Sequence, residues 1–227
     1  MQDNFEYIKN NIEEIKKVTN GKATLLLATK CVDAERINYA ISCGITHIGE
    51  NKVNELLEKY NYIDRDKVQI HFIGTLQRNK VKYIVDKVDL IQSVDSLKLA
   101  EEIEKQCSKR NIIMPILIEV NVGYEESKSG VLPENVYELI SEISKMEHLK
   151  IKGLMSIPPS TSDSEIILKN FKKMSEIYLD IKDKMLDNID MEILPIGMSS
   201  DYKEAVACGS NMVRIGSLVF GKRNYTL

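Results

Sequence analysis

What this sequence lacks narrows its function faster than what it contains. No segment approaches the ~20 consecutive apolar residues needed to cross a bilayer. The opening stretch MQDNFEYIKNNIEEIKKV alternates charge and has no apolar centre, so it is not read as a secretory signal, and the cytoplasm is the expected location. Charge of one sign is not in excess: 31 Lys and Arg stand against 34 Asp and Glu, a net charge of -3. That balance gives no global attraction to nucleic acid or to an anionic membrane. Cysteine is scarce. Cys31, Cys43, Cys107 and Cys208 form no C-x-x-C pair, and His47, His71 and His148 are scattered, so a zinc site is not expected. The four thiols read as buried and reduced. A G-x-G-x-x-G after a strand is absent, which removes the fingerprint of a dinucleotide-binding open sheet. No low-complexity tract divides the chain. PPSTSDS at 158–164 is too short to tether domains and reads as a loop, so residues 1–227 are expected to form one domain.

What is present is alternation. An amphipathic helix is predicted over 3–18, with Phe5, Ile8, Ile12 and Ile15 on one stripe, Asp3 as its cap and Asn20-Gly21 as its stop. Short apolar runs then recur: TLLLATK, THIGE, QIHFIGT, DLIQSV, PILIEVNVG, LKIKGLMSI, MEILPIGMS and MVRIGSLVF. Helical stretches lie between them, including AERINYAISCG, KVNELLEKY, NKVKYIVDKV, SLKLAEEIEKQCSKR and DYKEAVACG. Gly44 and Gly209 read as helix stops, and Asp33, Asp95, Asp163 and Asp201 as caps. Eight strands alternating with helices predict a parallel α/β fold. The count and the length fit a single (β/α)8 TIM-type barrel with an extra N-terminal helix. An open doubly wound sheet is the competing architecture.

Chemistry in such barrels gathers at the carboxyl ends of the strands. In chain order those ends supply Lys30, then Glu50 and Asn51, Asn121, Met155 and Ser156, GMSSD, and RIGS. Small residues let a ligand approach the backbone, and free N–H groups at a helix start attract anions. Ser199, Ser200, Gly216 and Ser217 therefore read as a phosphate cradle. Plain capping by Ser200 or Asp201, with a tight turn at Gly216, reads the same spacing equally well. Lysine is the side chain that forms Schiff bases with carbonyl compounds. An amine at Lys30 and a phosphate cradle nearby could hold a phosphorylated aldehyde. A rim salt bridge from Lys30 to Glu50 or Glu119 is the plainer alternative.

The stretches LLLATK, HIGENKVNEL, HFIGTLQRNKVKYIV, IQSVDS, EVNVGYEESKSG, IKGLMSI and GMSSDYKEAVACGSNMVRIGSLVFG, in this order and over nearly the whole chain, resemble the pyridoxal phosphate homeostasis proteins. That family is related to the N-terminal barrel of alanine racemase (pyridoxal phosphate fold type III). The resemblance implies pyridoxal 5′-phosphate held as a Schiff base on Lys30. It implies phosphate contacts from Ser199, Gly216 and Ser217, and Arg214 facing the pyridine nitrogen. It places Asn51 in the cofactor pocket and His71 and Met155 near the ring. Ser217 stands where many relatives have threonine, which keeps the hydroxyl, and Thr75 occupies a variable position.

The resemblance further implies a carrier of pyridoxal phosphate in vitamin B6 homeostasis, not a turnover enzyme. An arginine donating to the ring nitrogen cannot protonate it further, since guanidinium is always charged. The partners expected are the cofactor and pyridoxal-phosphate-dependent apoenzymes as acceptors, with no nucleic acid, no membrane and a monomeric state. A weak amino-acid racemase, with Tyr202 or Tyr124 reaching the ring, is one competing function. A cofactor-free aldolase acting through Lys30 is another.

Overall fold

The apolar runs do become parallel strands. In the computed structural model, which describes residues 5–159, 161, 163–184 and 188–221, the strands are β1 (Thr24–Ala28), β2 (His47–Glu50), β3 (Gln69–Phe72), β4 (Leu90–Val94), β5 (Met114–Glu119), β6 (Leu149–Met155), β7 (Ile189–Ile193), β8 (Pro195–Met198) and β9 (Met212–Ile215). They form one sheet in the order β7-β6-β5-β4-β3-β2-β1-β9-β8, and every pairing between these strands is parallel. The two ends of that order, β7 and β8, are separated by Leu194 alone. The sheet therefore comes round on itself as an α/β barrel.

The expected count of eight strands is corrected to nine by the run MEILPIGMS. Its first half pairs with β6 and its second half with β9. Pro195 has no N–H to continue a ladder, and side chains from the loop that leads into β9 take over at the break. Asn211 accepts from the Leu194 N–H through Oδ1 at 2.8 Å, and its Nδ2 donates to the Glu192 carbonyl at 2.6 Å. The Ser210 hydroxyl donates to the Leu194 carbonyl at 2.9 Å. Gly153 in β6 faces the same break. A Cβ there would stand 1.8 Å from the Ile193 carbonyl oxygen, at a φ of +152°.

The helices are α1 (Glu6–Thr19), α2 (Ala34–Ser42), α3 (Val53–Lys59), α4 (Leu97–Ser108), α5 (Val136–Ile143), α6 (Ser164–Asp183), α7 (Tyr202–Ala207) and α8 (Ser217–Phe220). Ile8, Ile12 and Ile15 of α1 are buried as the spacing predicts, and Asn20 ends the helix in the left-handed conformation. Its proposed cap, Asp3, lies outside the described residues. Asn11 ties α1 to the other end of the chain by donating to the Val219 carbonyl at 3.1 Å. Asp33 and Asp163 cap α2 and α6. Ser96, not Asp95, precedes α4. Asp201 sits at the start of α7 without capping it. The helix expected at NKVKYIVDKV is instead a 3₁₀ segment, Arg78–Tyr83.

Two apolar regions result from the period-two alternation of the strands. The larger lies between sheet and helices and includes Leu25, Leu27, Ile48, Ile70, Phe72, Ile116 and Ile118. Smaller clusters fill the ring itself: Leu26, Ala28, Ile73 and Met212, then Leu90, Leu117 and Met155, with Ile193 against both. Of the cysteines, all free, Cys107 alone is buried as expected. Cys43 and Cys208 are half-buried, and Cys31 is exposed.

Candidate functional site

A cleft of about 350 Å³ opens at the carboxyl ends of the strands. Ala28 of β1, Asn51 after β2, Ile73 after β3, Ile157 after β6, Met198 and the two serines after β8, Arg214 of β9, Gly216 and Ser217 border it. Six of the residues predicted for the site, Asn51, Ser199, Ser200, Arg214, Gly216 and Ser217, are thus brought to one place. The volume falls in the ~300–1,000 Å³ range of small-molecule pockets.

Its outer wall is polar and close to the backbone. The Gly216 N–H donates to the Ser199 Oγ at 3.3 Å, which joins the loop after β8 to the loop after β9. Asp201 is 6% exposed and braces the first of these loops. It accepts from the Met198 N–H at 2.8 Å and from the Ser200 hydroxyl at 2.9 Å. So neither Ser200 nor Asp201 serves as the plain helix cap that was the alternative reading. Gly74 abuts the facing loop, where a Cβ would come within 2.2 Å of the Asn51 carbonyl oxygen. Only glycine permits that approach.

The inner end is cationic. Arg214 points into the ring, since its neighbours Val213 and Ile215 belong to the outer core. One guanidinium nitrogen donates to the Ser156 carbonyl at 2.7 Å. Its Nε is buried and, among the described residues, has no hydrogen-bond partner. Burial pulls the Arg214 pKa down to about 10, against the pull of Glu119 and Asp201. It therefore stays charged at neutral pH. Glu119, 4% exposed at the end of β5, is pushed up to about 7 by burial and then by Asp95, with Arg214 opposing.

The remaining predicted residues do not border the cleft. Lys30 is half-buried in the turn two residues beyond β1, not at the last position of the strand, while Ala28 of the same strand borders the cleft. Glu50, offered as a rim partner for Lys30, is fully buried on the helix side of β2 and pairs with Lys59 at 2.8 Å. Met155 is enclosed with Leu90 and Leu117 inside the ring. His71 is 1% exposed. Its Nδ1 lies 2.9 Å from Gln92 Nε2, and its ring meets His47 edge-on at 5.3 Å. Burial, then His47, pushes its pKa down to about 3, so the imidazole is neutral.

Glu119, read from the sequence only as a rim partner for Lys30, and the Ser156 carbonyl instead stand beside Arg214. Glu119 follows Leu117, which lies inside the ring, by two residues, so it shares that inward face. A larger groove, about 880 Å³, runs outside the ring along α6 beside Tyr124 and Pro159. Lys169, Lys172, Lys173, Glu165 and Glu176 flank it, and it holds none of the predicted site residues.

Residues 4–224 match the family described as the N-terminal domain of alanine racemase. The pyridoxal phosphate homeostasis protein of Aquifex aeolicus is 43% identical over 203 residues, covering 89% of this chain and 88% of the relative. That of Haemophilus influenzae is 36% identical over 231 residues, covering 100% and 97%. Among solved structures, PipY of Synechococcus elongatus with pyridoxal phosphate bound superposes with a TM-score of 0.86 at 25% identity, covering 94% of this chain and 100% of that one. Among the described residues no helix is long and apolar enough to cross a membrane.

Proposed function

The chain belongs to the pyridoxal phosphate homeostasis proteins, within the family of the alanine racemase N-terminal domain, and from that membership we propose that it binds pyridoxal 5′-phosphate in the strand-end cleft, attached as a Schiff base to Lys30, and carries it without turning over a substrate. The observation that carries this reading is the buried, unpartnered Nε of Arg214 at the inner end of a cleft whose other wall is made of Ser199, Ser200, Gly216 and Ser217. A buried donor without an acceptor is costly. A ring nitrogen placed against it would satisfy it. The hydroxyls and the glycine backbone suit a phosphate at the other end.

When bound, the group supplies an electrophilic aldehyde that condenses reversibly with an amine. Lys30 would provide that amine, and a link of this kind would suit release to an acceptor apoenzyme. Ser199, Ser200, Gly216 and Ser217 hold the phosphate, and Asn51 lines the pocket. Arg214 would donate a hydrogen bond to the ring nitrogen and, as a guanidinium, give up no proton to it. That arrangement disfavours reactions needing a strong electron sink. The tyrosines that would serve a racemase lie elsewhere. The Tyr124 hydroxyl donates to Glu134 at 3.1 Å, and Tyr202 is buried in the outer core.

Borohydride reduction of the protein loaded with pyridoxal phosphate, then digestion and mass spectrometry, tests the assignment. The expected pyridoxyl adduct is on the peptide containing Lys30, and it is lost in Lys30→Ala. An adduct of equal yield in that variant would move the amine elsewhere. Exchange of amino-acid α-hydrogens with deuterated solvent at enzymatic rates, from about 1 per second upward, would replace the carrier reading with a racemase.

A further inference from the structure

The turn that carries Lys30, residues 29–32 between β1 and α2, is held mainly by side chains from two other elements. Cys31 in this turn adopts a φ of +59°, which a non-glycine residue seldom takes without outside support. The support comes from α3 and the end of β2. The Lys59 ammonium donates to the Thr29 carbonyl at 2.9 Å and to the Val32 carbonyl at 3.0 Å, one on each side of Lys30 and Cys31. It also contacts Glu55 Oε1 and Glu50 Oε1, each at 2.8 Å. Glu55 Oε1 in turn accepts from the Cys31 N–H at 2.5 Å. Thr29 donates its hydroxyl to Glu50 Oε1 at 2.5 Å.

Lys59 is 9% exposed and Glu50 0%. A lysine is almost never buried unless it is paired. Replacing a buried ion pair by apolar residues often leaves stability unchanged or raised. Packing alone therefore does not explain an ammonium here. What it does that a leucine could not is hold two carbonyls of the turn and, through Glu55, an amide between them.

The geometry points to Lys59 as the positioning residue for Lys30: with Glu55 and Glu50 it locks the β1–α2 turn in the conformation that fixes where the Lys30 amine stands. This rests on the reading that Lys30 forms the covalent link. It goes beyond that reading by assigning a role to residues that do not border the cleft.

The full chain is compared with Lys59→Met and with the double variant Glu50→Gln/Lys59→Met, which leaves no lone charge buried if the single change fails to fold. Three quantities are read: the rate of covalent attachment of added pyridoxal 5′-phosphate, the affinity for 4′-deoxypyridoxine 5′-phosphate, which lacks the aldehyde, and amide exchange at Cys31 and Val32. Attachment is expected to slow by about tenfold or more, as misplacement of a reacting group does. The aldehyde-free analogue should bind within about twofold of the parent, and the Cys31 and Val32 amides should exchange about tenfold faster while β9 is unaffected. Attachment at the parental rate in a folded variant would overturn the inference, as would analogue affinity falling in step with attachment. If instead the parent forms no adduct at Lys30, the proposed function fails, and the amide exchange still reads the clamp separately.

Discussion

Two buried residues inside the ring set opposite pH dependences on stability. His71 stays neutral in the fold down to about pH 3, whereas its ordinary value is 6.5. Between those values the unfolded chain binds the extra proton, so stability rises with pH. Glu119 keeps its proton up to about pH 7 against an ordinary 4.5. Between those values the folded chain binds the extra proton, so stability falls as pH rises. From pH 4.5 to 6.5 the two slopes oppose, each bounded by about 1.4 kcal/mol per pH unit. In His71→Asn, stability should fall from pH 4.5 toward 7, and in Glu119→Gln it should climb from pH 3 to 6.5. Urea melts at pH 4.5, 5.5 and 6.5 measure both. Variants whose profiles run parallel to the parent would show that these groups do not titrate as their burial requires. Lys30 was read from residue type and strand-end position, whereas Arg214, which borders the cleft, came only from the family resemblance. Lys59 was not, because a lysine ending an amphipathic helix looks solvated until the turn it holds is seen in space.

At the scale of elements, Asn211 makes two of the side-chain hydrogen bonds at the seam between β7 and β8. Asn211→Ala removes the acceptor of the Leu194 N–H and the donor to the Glu192 carbonyl. An unsatisfied group costs roughly 1–3 kcal/mol when buried. Water reaches this half-buried position, so a loss near the lower end, about 1 kcal/mol, is expected. A lowered urea midpoint with faster exchange at Leu194 would bear this out, and an unchanged midpoint would count against it. Apolar runs and helix stops showed in the sequence because periodicity and glycine act locally. The break within MEILPIGMS did not, since two short strands and one long one share the same composition; Pro195 was the visible clue. In NKVKYIVDKV the period is helical, yet only Arg78–Tyr83 closes, as a 3₁₀ turn.

For the whole molecule, the cleft draws its residues from both ends of the chain: Asn51 from the first quarter, Ser199 to Ser217 from the last. A ligand bound there would link segments that unfold together. At a free concentration one hundred times Kd it should add about 2.7 kcal/mol. For a chain of this size that is a rise in Tm of roughly 5–11 °C, at about 2–4 °C per kcal/mol. Pyridoxal phosphate should produce the shift in the parent. The pair Ser199→Ala and Ser217→Ala should lose most of it, since charge-assisted hydrogen bonds contribute roughly 1.5–3 kcal/mol each. An equal shift in that pair, by differential scanning fluorimetry, would place the phosphate elsewhere. The alternation of strands and helices made the barrel readable, whereas the gathering of distant loops into one cleft follows only from closure.

That closure has a consequence for biosynthesis. Each strand from β1 to β7 joins the sheet beside its predecessor, but β9 must enter between β8 and β1. At about 5–20 residues per second, a ribosome needs roughly 9–37 s to pass from Lys30 to Arg214. Arg214, Gly216 and Ser217 emerge only at the end of that interval. On the proposed site, a growing chain presents Lys30 well before the loop residues that would hold a phosphate exist.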